Sequence, residues 1–505
     1  TTVGNYVLNA ALMPLYRFYK NNSMNRRITG AFATAIFLVI NSCSTNPVTG
    51  KKDLVLMSEE QEIAMGQQTD PAVLAQFGLY ENKELQNFIQ QKGEAMAAIS
   101  HRPNLKFHFK VVDSPVVNAF ALPGGYIYFT RGIMAHFNNE AQFAGVLGHE
   151  IGHVTARHSV QQQTKATLGQ VGLIAGMILS PDLAKYGDVA AQGLGLLFLK
   201  FGRDDERESD RLGVEYSSKI GYDAEEMADF FITLQRLQGE SGSAIPDFLS
   251  THPNPADRYE TVNQLAFDWK KQLNLTEARV NRNSYLKLID GLVYGEDPRQ
   301  GYVENNVFYH PGLKFKMPVP ANWQYLNSPQ QFQMAPKDGK AIMNLTLAPG
   351  GTLEAAAQQM LQQYKLQPIE SKSTTVNGLP ALAVVADQQQ EQQTIRTLTY
   401  FIEYDGNIYS IMGISTADAF ASYTNQFAGT MQNFSSLTDQ TKLNRQPARI
   451  RVETVQQAGS VRQVFQRYQV PEDRMQELAV LNGRQLEDRL EQGTMIKLLT
   501  KYDKI

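Results

Sequence analysis

Asn139-Glu-Ala-Gln-Phe-Ala-Gly-Val-Leu-Gly-His-Glu-Ile-Gly-His153 is the stretch on which the fold turns. Its largely apolar first half has a helical pattern and runs straight into His149-Glu150-Ile151-Gly152-His153. On a helix of 3.6 residues per turn, His149 and His153 lie one turn apart on one face. Both imidazoles can then reach a single zinc ion at about 2.0–2.1 Å. Glu150 stands beside the first of them, placed to take a proton from an attacking water and later pass it to a leaving amine. Residues 67–290 around it read mainly as helices, with a small strand-like island at Lys106–Val112 and Tyr126–Thr130.

A catalytic zinc needs a third protein ligand and an open position. His158 lies five residues beyond His153 and faces away from the ligand stripe if the helix continues, so it is expected to be structural or to support a ligand. The better candidate lies in Arg203-Asp-Asp-Glu206-Arg-Glu208-Ser-Asp210-Arg-Leu-Gly213. On a helix Glu206 and Asp210 share a face one turn apart, while Glu208 points elsewhere. Glu206 can bind zinc, and Asp210 can accept the free N–H of a ligating histidine and so set its tautomer.

These residues, together with Asn46-Pro-Val-Thr-Gly50, Ser58-Glu-Glu-Gln-Glu-Ile-Ala-Met-Gly66, Asn118-Ala-Phe-Ala-Leu-Pro-Gly-Gly-Tyr-Ile-Tyr128 and Thr251-His252-Pro253, resemble the HtpX/BepA-like zinc metallopeptidases. These are gluzincins related to the prenyl-protein CAAX protease, and the resemblance covers roughly residues 46–300. It implies a zincin-type domain, mainly α with a small β-sheet, and one Zn2+ per chain held by His149, His153 and Glu206, with Glu150 as general base. It also gives Asp210 a proton-donating or ligand-orienting role. For His252 it leaves three readings. The imidazole can occupy the fourth zinc position and hold the enzyme latent, it can stabilise the oxyanion together with Arg258, or it is a loop residue without catalytic contact. Pro123-Gly124-Gly125-Tyr126-Ile-Tyr-Phe-Thr130 is expected to offer a strand edge beside the zinc, to which a peptide could add by main-chain hydrogen bonds. An ordinary Gly-Gly hairpin into a core strand is the alternative.

The chain has 505 residues, with 47 Lys and Arg against 50 Asp and Glu. That balance leaves no basic footprint for nucleic acid. Its single cysteine, Cys43, excludes an intrachain disulfide and a thiolate zinc module. Met24-Asn-Arg-Arg27 precedes the apolar run Ala31–Ile40 and then Asn41-Ser42-Cys43. A basic start and a short apolar run read as a secretory signal, since a membrane span needs roughly 20 apolar residues. Ile40-Asn41-Ser42-Cys43 resembles a bacterial lipobox, which makes Cys43 the lipidated residue, and Ser44 points to the outer membrane. Residues 1–23 lie upstream of this signal, and a mis-assigned gene start explains them.

The remaining segments follow in order: 1–42 upstream residues and signal, 43–66 a tether, 67–295 the zinc peptidase domain, 303–439 an α+β domain, and 448–500 a small module. The α+β domain opens on Pro318, Pro320 and Trp323 and resembles PsbP/Mog-like folds. The last segment reads strand-helix-helix-strand and resembles LysM, with Gly459-Ser460-Val461 departing from that pattern. Thr167–Ser180 and Gly193–Leu199 are apolar and Gly-rich, and read as a packed or lid-like helical insertion. The expectation is a zinc endopeptidase of the bacterial envelope, facing the periplasm and lipid-anchored. It would act on envelope proteins or peptides in quality control, with peptidoglycan as a possible partner of the last module. A largely latent protease acting as an assembly chaperone, or a wall-binding scaffold, are the alternatives.

Overall fold

The structure is a computed structural model and describes residues 43–165, 200–237, 248–252, 257–390 and 393–501. The signal-like segment before Cys43 and both apolar stretches between residues 166 and 199 lie outside the described residues.

The first domain begins with a short hairpin, β1 (Cys43–Thr45) and β2 (Lys52–Leu54). Asn46 closes it as an Asx turn: its side chain accepts from the N–H groups of Val48 and Thr49 and donates to Asp53. Helix α1 (Glu59–Phe77) follows, capped by Ser58 and Gln61 in a reciprocal capping box. Residues 43–66 therefore do not form a free tether. Val55 and Glu62 are buried, and helix α1 starts inside that stretch.

Next come α2 (Lys83–Ala97), β3 (His108–Val112), β4 (Ala119–Leu122), β5 (Tyr126–Thr130), α3 (Arg131–His136) and α4 (Glu140–Thr155). The sheet order is β3-β5-β4, with β3 parallel and β4 antiparallel to β5. Helix α4 carries the two histidines and is buried along its whole length, its polar side chains Glu140, Gln142, His149, Glu150 and His153 included. Asn139 caps its start by accepting from Gln142 N. Helices α5 (Arg203–Lys219), α6 (Glu225–Leu237), α7 (Phe248–Thr251), α8 (Arg258–Gln272) and α9 (Arg282–Leu288) pack around it. Strand β6 (Val293–Tyr294) ends this run.

An α+β domain follows. Its seven-stranded antiparallel sheet has the order β10-β11-β12-β16-β15-β14-β13. These strands are β10 (Trp323–Asn327), β11 (Gln331–Pro336), β12 (Ala341–Ala348), β13 (Gln367–Val376), β14 (Leu379–Gln389), β15 (Thr394–Tyr404) and β16 (Asn407–Thr416). Asp405 and Gly406 turn β15 into β16 with φ of 49° and 75°, the positive pair a two-residue hairpin needs. Helix α10 (Leu353–Gln363) covers part of one face, and α11 (Ala417–Met431) covers the other. A smaller sheet, ordered β17-β9-β8-β7, joins the second of these cores. Its strands are β7 (Tyr302–Glu304), β8 (Val307–His310), β9 (Phe315–Pro318) and β17 (Ser435–Ser436).

After a short helix, α12 (Gln440–Leu443), the chain returns to the first domain. Strand β18 (Ala448–Thr454) pairs with β6 on one side and with the last strand, β21 (Met495–Leu499), on the other. Between them lie α13 (Val461–Arg467) and α14 (Glu472–Leu481), with a small bridge between β19 (Gly459–Ser460) and β20 (Arg489–Leu490). Ile450, Phe465, Leu478 and Leu498 share one apolar core with Phe137, Phe143 and Leu292. The buried Lys497 ammonium reaches across and donates to Ala135 O at 2.8 Å and Phe137 O at 3.0 Å, just before helix α4. The C-terminal segment is thus built into the first domain, and the α+β domain is an insertion between two paired strands.

Candidate metal centre

Helices α4 and α5 cross closely because glycines face one another at the crossing. A Cβ on Gly148 would lie 2.9 Å from the Gly213 backbone, so anything larger than hydrogen pushes the helices apart. This approach carries the acidic face of α5 onto the histidine face of α4. Nitrogen or oxygen atoms of His149, His153, Glu206 and His252 converge to within 4.8 Å of one another, all of them buried.

The ligand orientations are held from behind. Asp210 Oδ1 lies 2.9 Å from His149 Nδ1 and accepts its proton, so the lone pair of Nε2 faces the cluster. Asp210 is itself gripped by Arg258, whose Nε and Nη2 donate at 2.6 and 2.7 Å. Burial would raise the Asp210 carboxyl, but Arg258 and His149 outweigh it and hold the group below its usual range. His153 Nδ1 lies 3.0 Å from His158 Nδ1. His158 reaches this position because the helix does not continue: Arg157 takes φ of 61° and swings the chain round. Ser209 and Glu208 then fix the His158 ring at 3.2 and 3.3 Å.

His149 Nε2 and His153 Nε2 face each other at 3.0 Å, and His252 Nδ1 lies 3.3 Å from the first and 3.0 Å from Glu206 Oε1. Both oxygens of Glu150 are buried without a hydrogen-bond donor, and Oε2 of Glu206 meets the Arg258 guanidinium as an ion pair at 3.3 Å. Burial pushes the Glu150 carboxyl up, whereas for Glu206 the neighbouring histidines overcome burial and hold it well below its usual range. Converging lone pairs and stranded carboxylate oxygens in a dry site are the donor set of a borderline-soft divalent cation. Three imidazoles and one carboxylate without any thiolate fit zinc.

The structure brings His149, Glu150, His153, Glu206, Asp210, His252 and Arg258 into this one centre. It does not bring Gly124, Gly125 or Tyr126 there as an open strand edge. Strand β5 is the middle strand, with β3 and β4 bonded on either side. Gly124 packs against the Glu62 backbone and Gly125 against Lys106 O, where a Cβ would come within 2.8 Å. The edge strands are β3 and β4, and it is β4, the strand before β5 in the chain, that packs beside α4. Arg258 points at Asp210 and Glu206 rather than into open space, with Nη1 3.3 Å from Glu206 Oε2.

Sequence reasoning did not find the rings that close the site. Phe201 lies tilted against His153 with centroids 4.0 Å apart, and Phe248 stacks on His252 at 4.4 Å. Both lie beside segments with no recognisable motif. The apolar Phe-Leu before Ser250-Thr251-His252 is the one signal that could have suggested the second.

Comparison with known proteins fits this geometry. Residues 83–266 match the description "Peptidase family M48". The beta-barrel assembly-enhancing protease of Yersinia pestis is 31% identical over 236 residues, 44% of this chain and 48% of that protein. Its counterpart in Escherichia coli K12 is 32% identical over 243 residues, 45% of this chain and 48% of that one. The mitochondrial metalloendopeptidase OMA1 of Arabidopsis thaliana is 32% identical over 210 residues, 41% and 42% of the two chains. The matched stretch thus spans less than half of each of these relatives. Cyanobacterial PsbP from Synechocystis sp. PCC 6803 aligns over 26% of this chain and 91% of its own, at 8% identity. Its TM-score of 0.22 is too low to bear on the fold. The HExxH helix and the Glu206 helix both fall within residues 83–266, the stretch that matches peptidase family M48, so the metal-centre geometry and the similarity to M48 metallopeptidases coincide.

Proposed function

We propose that the chain is a zinc-dependent endopeptidase of the bacterial cell envelope. The observation that carries this reading is the buried convergence of His149, His153 and Glu206 with Glu150 alongside. Zinc, when bound, supplies Lewis acidity that brings the pKa of a water down to about 7 and polarises the scissile carbonyl. His149, His153 and Glu206 hold the metal, and Asp210 keeps His149 in the ligating tautomer. Glu150 takes the proton of the attacking water on a carboxylate oxygen and returns it to the leaving amine. Burial raises its pKa above the ordinary carboxylate value, the direction a proton acceptor needs. The free edge of β4 is the place for an extended substrate strand, since it lies beside α4 and is unpaired among the described residues.

The envelope assignment is supported by the signal-like pattern from Met24 to Cys43 and by similarity to the beta-barrel assembly-enhancing proteases. In this reading Cys43 carries the lipid anchor to the outer membrane, and envelope proteins are the substrates. The LysM-like segment 448–500 is the candidate contact with peptidoglycan. A pull-down on the purified polymer, with His252 and the metal centre left intact, tests that part.

Latency is a second reading, favoured by the position of His252. Its Nδ1 lies inside the ligand cluster, and His149, Glu150, His153, Glu206 and His252 are each at most 1% exposed. Casein cleavage by purified protein separates the readings. Glu150→Gln abolishes activity if the peptidase reading holds, and His252→Ala raises it if the histidine plugs the fourth position. Purified protein without near-stoichiometric zinc refutes the assignment.

A further inference from the structure

The seven-stranded sheet of the α+β domain ends in an uncovered edge. Strand β13 pairs with β14 on one side and, among the described residues, with no strand on the other. It is 10 residues long, and every residue from Gln367 to Ser373 is exposed, so neither of its faces is covered there. Such an edge presents main-chain donors and acceptors to any extended chain that can reach it.

The turn that follows fixes which groups those are. Asn377 and Gly378, with φ of 49° and 82°, form a two-residue hairpin turn between Val376 and Leu379. Counting back from that hydrogen-bonded pair, every second residue bonds to β14, while Thr375, Ser373 and Ser371 turn their N–H and C=O outward. Pro380 stands opposite Thr375, in a pair that asks no N–H of it.

Two devices on the strand oppose indiscriminate pairing. Ile369 is the extra residue of a bulge between Pro368 and Glu370, and Lys372 sets a charge in the middle of the edge. Neither Glu370 nor Lys372 has an ion-pair partner among the described residues, and both side chains are exposed. These charges are complementary to the strand itself, reversed. An antiparallel pairing centred on Ser371 makes Ser371 and its counterpart a hydrogen-bonded pair. On either side of it, Glu370 of one copy meets Lys372 of the other in the closer, non-bonded position. Ile369, 55% exposed, then lies opposite Ser373. Centring on Ser373 keeps the hydrogen-bond phase but sets Lys372 against Thr374 and leaves both charges unpaired. Centring on Lys372 opposes like charges and turns the bonding groups away from each other.

We propose that β13 is a docking surface for a second copy of this chain, which pairs with it antiparallel about a two-fold axis through Ser371 and is selected by reciprocal Glu370–Lys372 ion pairs. The contact is isologous and closed, and it joins the two seven-stranded sheets into one.

Sedimentation equilibrium of the full chain, carrying Glu150→Gln to prevent self-cleavage, tests this. One strand edge is a small interface, so a monomer–dimer equilibrium with a dissociation constant on the order of 10 μM is expected. Glu370→Lys and Lys372→Glu should each weaken it about tenfold, because each sets like charges against one another in both pairs. Mixing the two single variants should restore parental association, since each then meets the opposite charge twice. All variants should keep the parent melting temperature, as both positions are exposed. A monomer at roughly ten times that concentration overturns the proposal. So does a dimer indifferent to the single changes, a failure of the mixture to recover, or growth beyond the dimer, as pairing of β13 with the opposite edge β10 would give.

Discussion

Replacing Glu62 by Ala should destabilise the first domain more than its distance from the metal suggests. Glu62 is a buried carboxylate on helix α1. It accepts from Arg102 Nη1 at 2.8 Å, from Arg157 Nε at 3.0 Å and from Gly124 N at 3.3 Å. Both arginines are nearly as buried, and they tie down the end of α4: Arg102 donates to Val154 O, and Arg157 donates to Met57 O. Removing the carboxylate takes the shared charge partner from two buried guanidinium groups, of which Arg102 keeps Glu59 at 3.3 Å, a change of about 3–5 kcal/mol. At about 2–4 °C per kcal/mol for a domain of this size, the melting temperature should fall by roughly 10 °C. Glu62→Gln keeps the shape and one acceptor, so its loss should be about half as large. The same network sets the left-handed turn at Arg157 that aims His158 at His153, so zinc affinity should drop about tenfold in chelator competition. Differential scanning calorimetry with and without zinc reads both effects. A Glu62→Ala protein melting within about 2 °C of its parent, with parental zinc affinity, refutes the argument.

Three further outcomes are expected. A chain ending at Pro447 should lose cooperative folding of the first domain, read by near-ultraviolet circular dichroism, because the core would miss Ile450, Phe465, Leu478 and Leu498. Gly148→Val should separate α4 from α5 and lower peptidase activity about a hundredfold while far-ultraviolet helicity is retained, since displacements near 1 Å suffice for losses of that size. Burial holds His136 and His310 at about 4, so each stays neutral in the folded state while the unfolded chain takes up a proton near pH 6.5. The stability they contribute is complete above pH 6.5 and is lost as pH falls toward 4, by up to about 1.4 kcal/mol per unit for each. Urea midpoints at pH 7 and pH 5 check this, and His310→Gln should flatten the slope for the α+β domain.

The metal centre was legible because helical spacing alone places side chains on a face. His149 with His153, and Glu206 with Asp210, are each four residues apart, and any helix through them makes the same arrangement. Strand position is different, for it depends on partners distant in the chain. Nothing local in Tyr126-Ile-Tyr-Phe-Thr130 says that β3 and β4 flank it, so its placement as an edge failed. His158 was kept out of the ligand set on the assumption of a continuing helix; the turn at Arg157 supplied its actual contact with His153 by a route that periodicity does not register. The attachment of residues 448–499 to the first domain was equally hidden. It rests on the pairing of Ala448 with Tyr294 and on a lysine ammonium reaching two carbonyls more than 350 positions away.

That return of the chain has a consequence for when the enzyme can exist. The core around α4 draws on residues near the start of the described chain and on the last strand, with the whole α+β domain made in between. A nascent chain emerging N-terminus first cannot close this core until Leu499 has been delivered. The histidine helix therefore gains its full packing only once the chain through Leu499 is present, and a copy cut short of it lacks part of the core behind the cluster. Completion of the metal centre is thus tied to chain order.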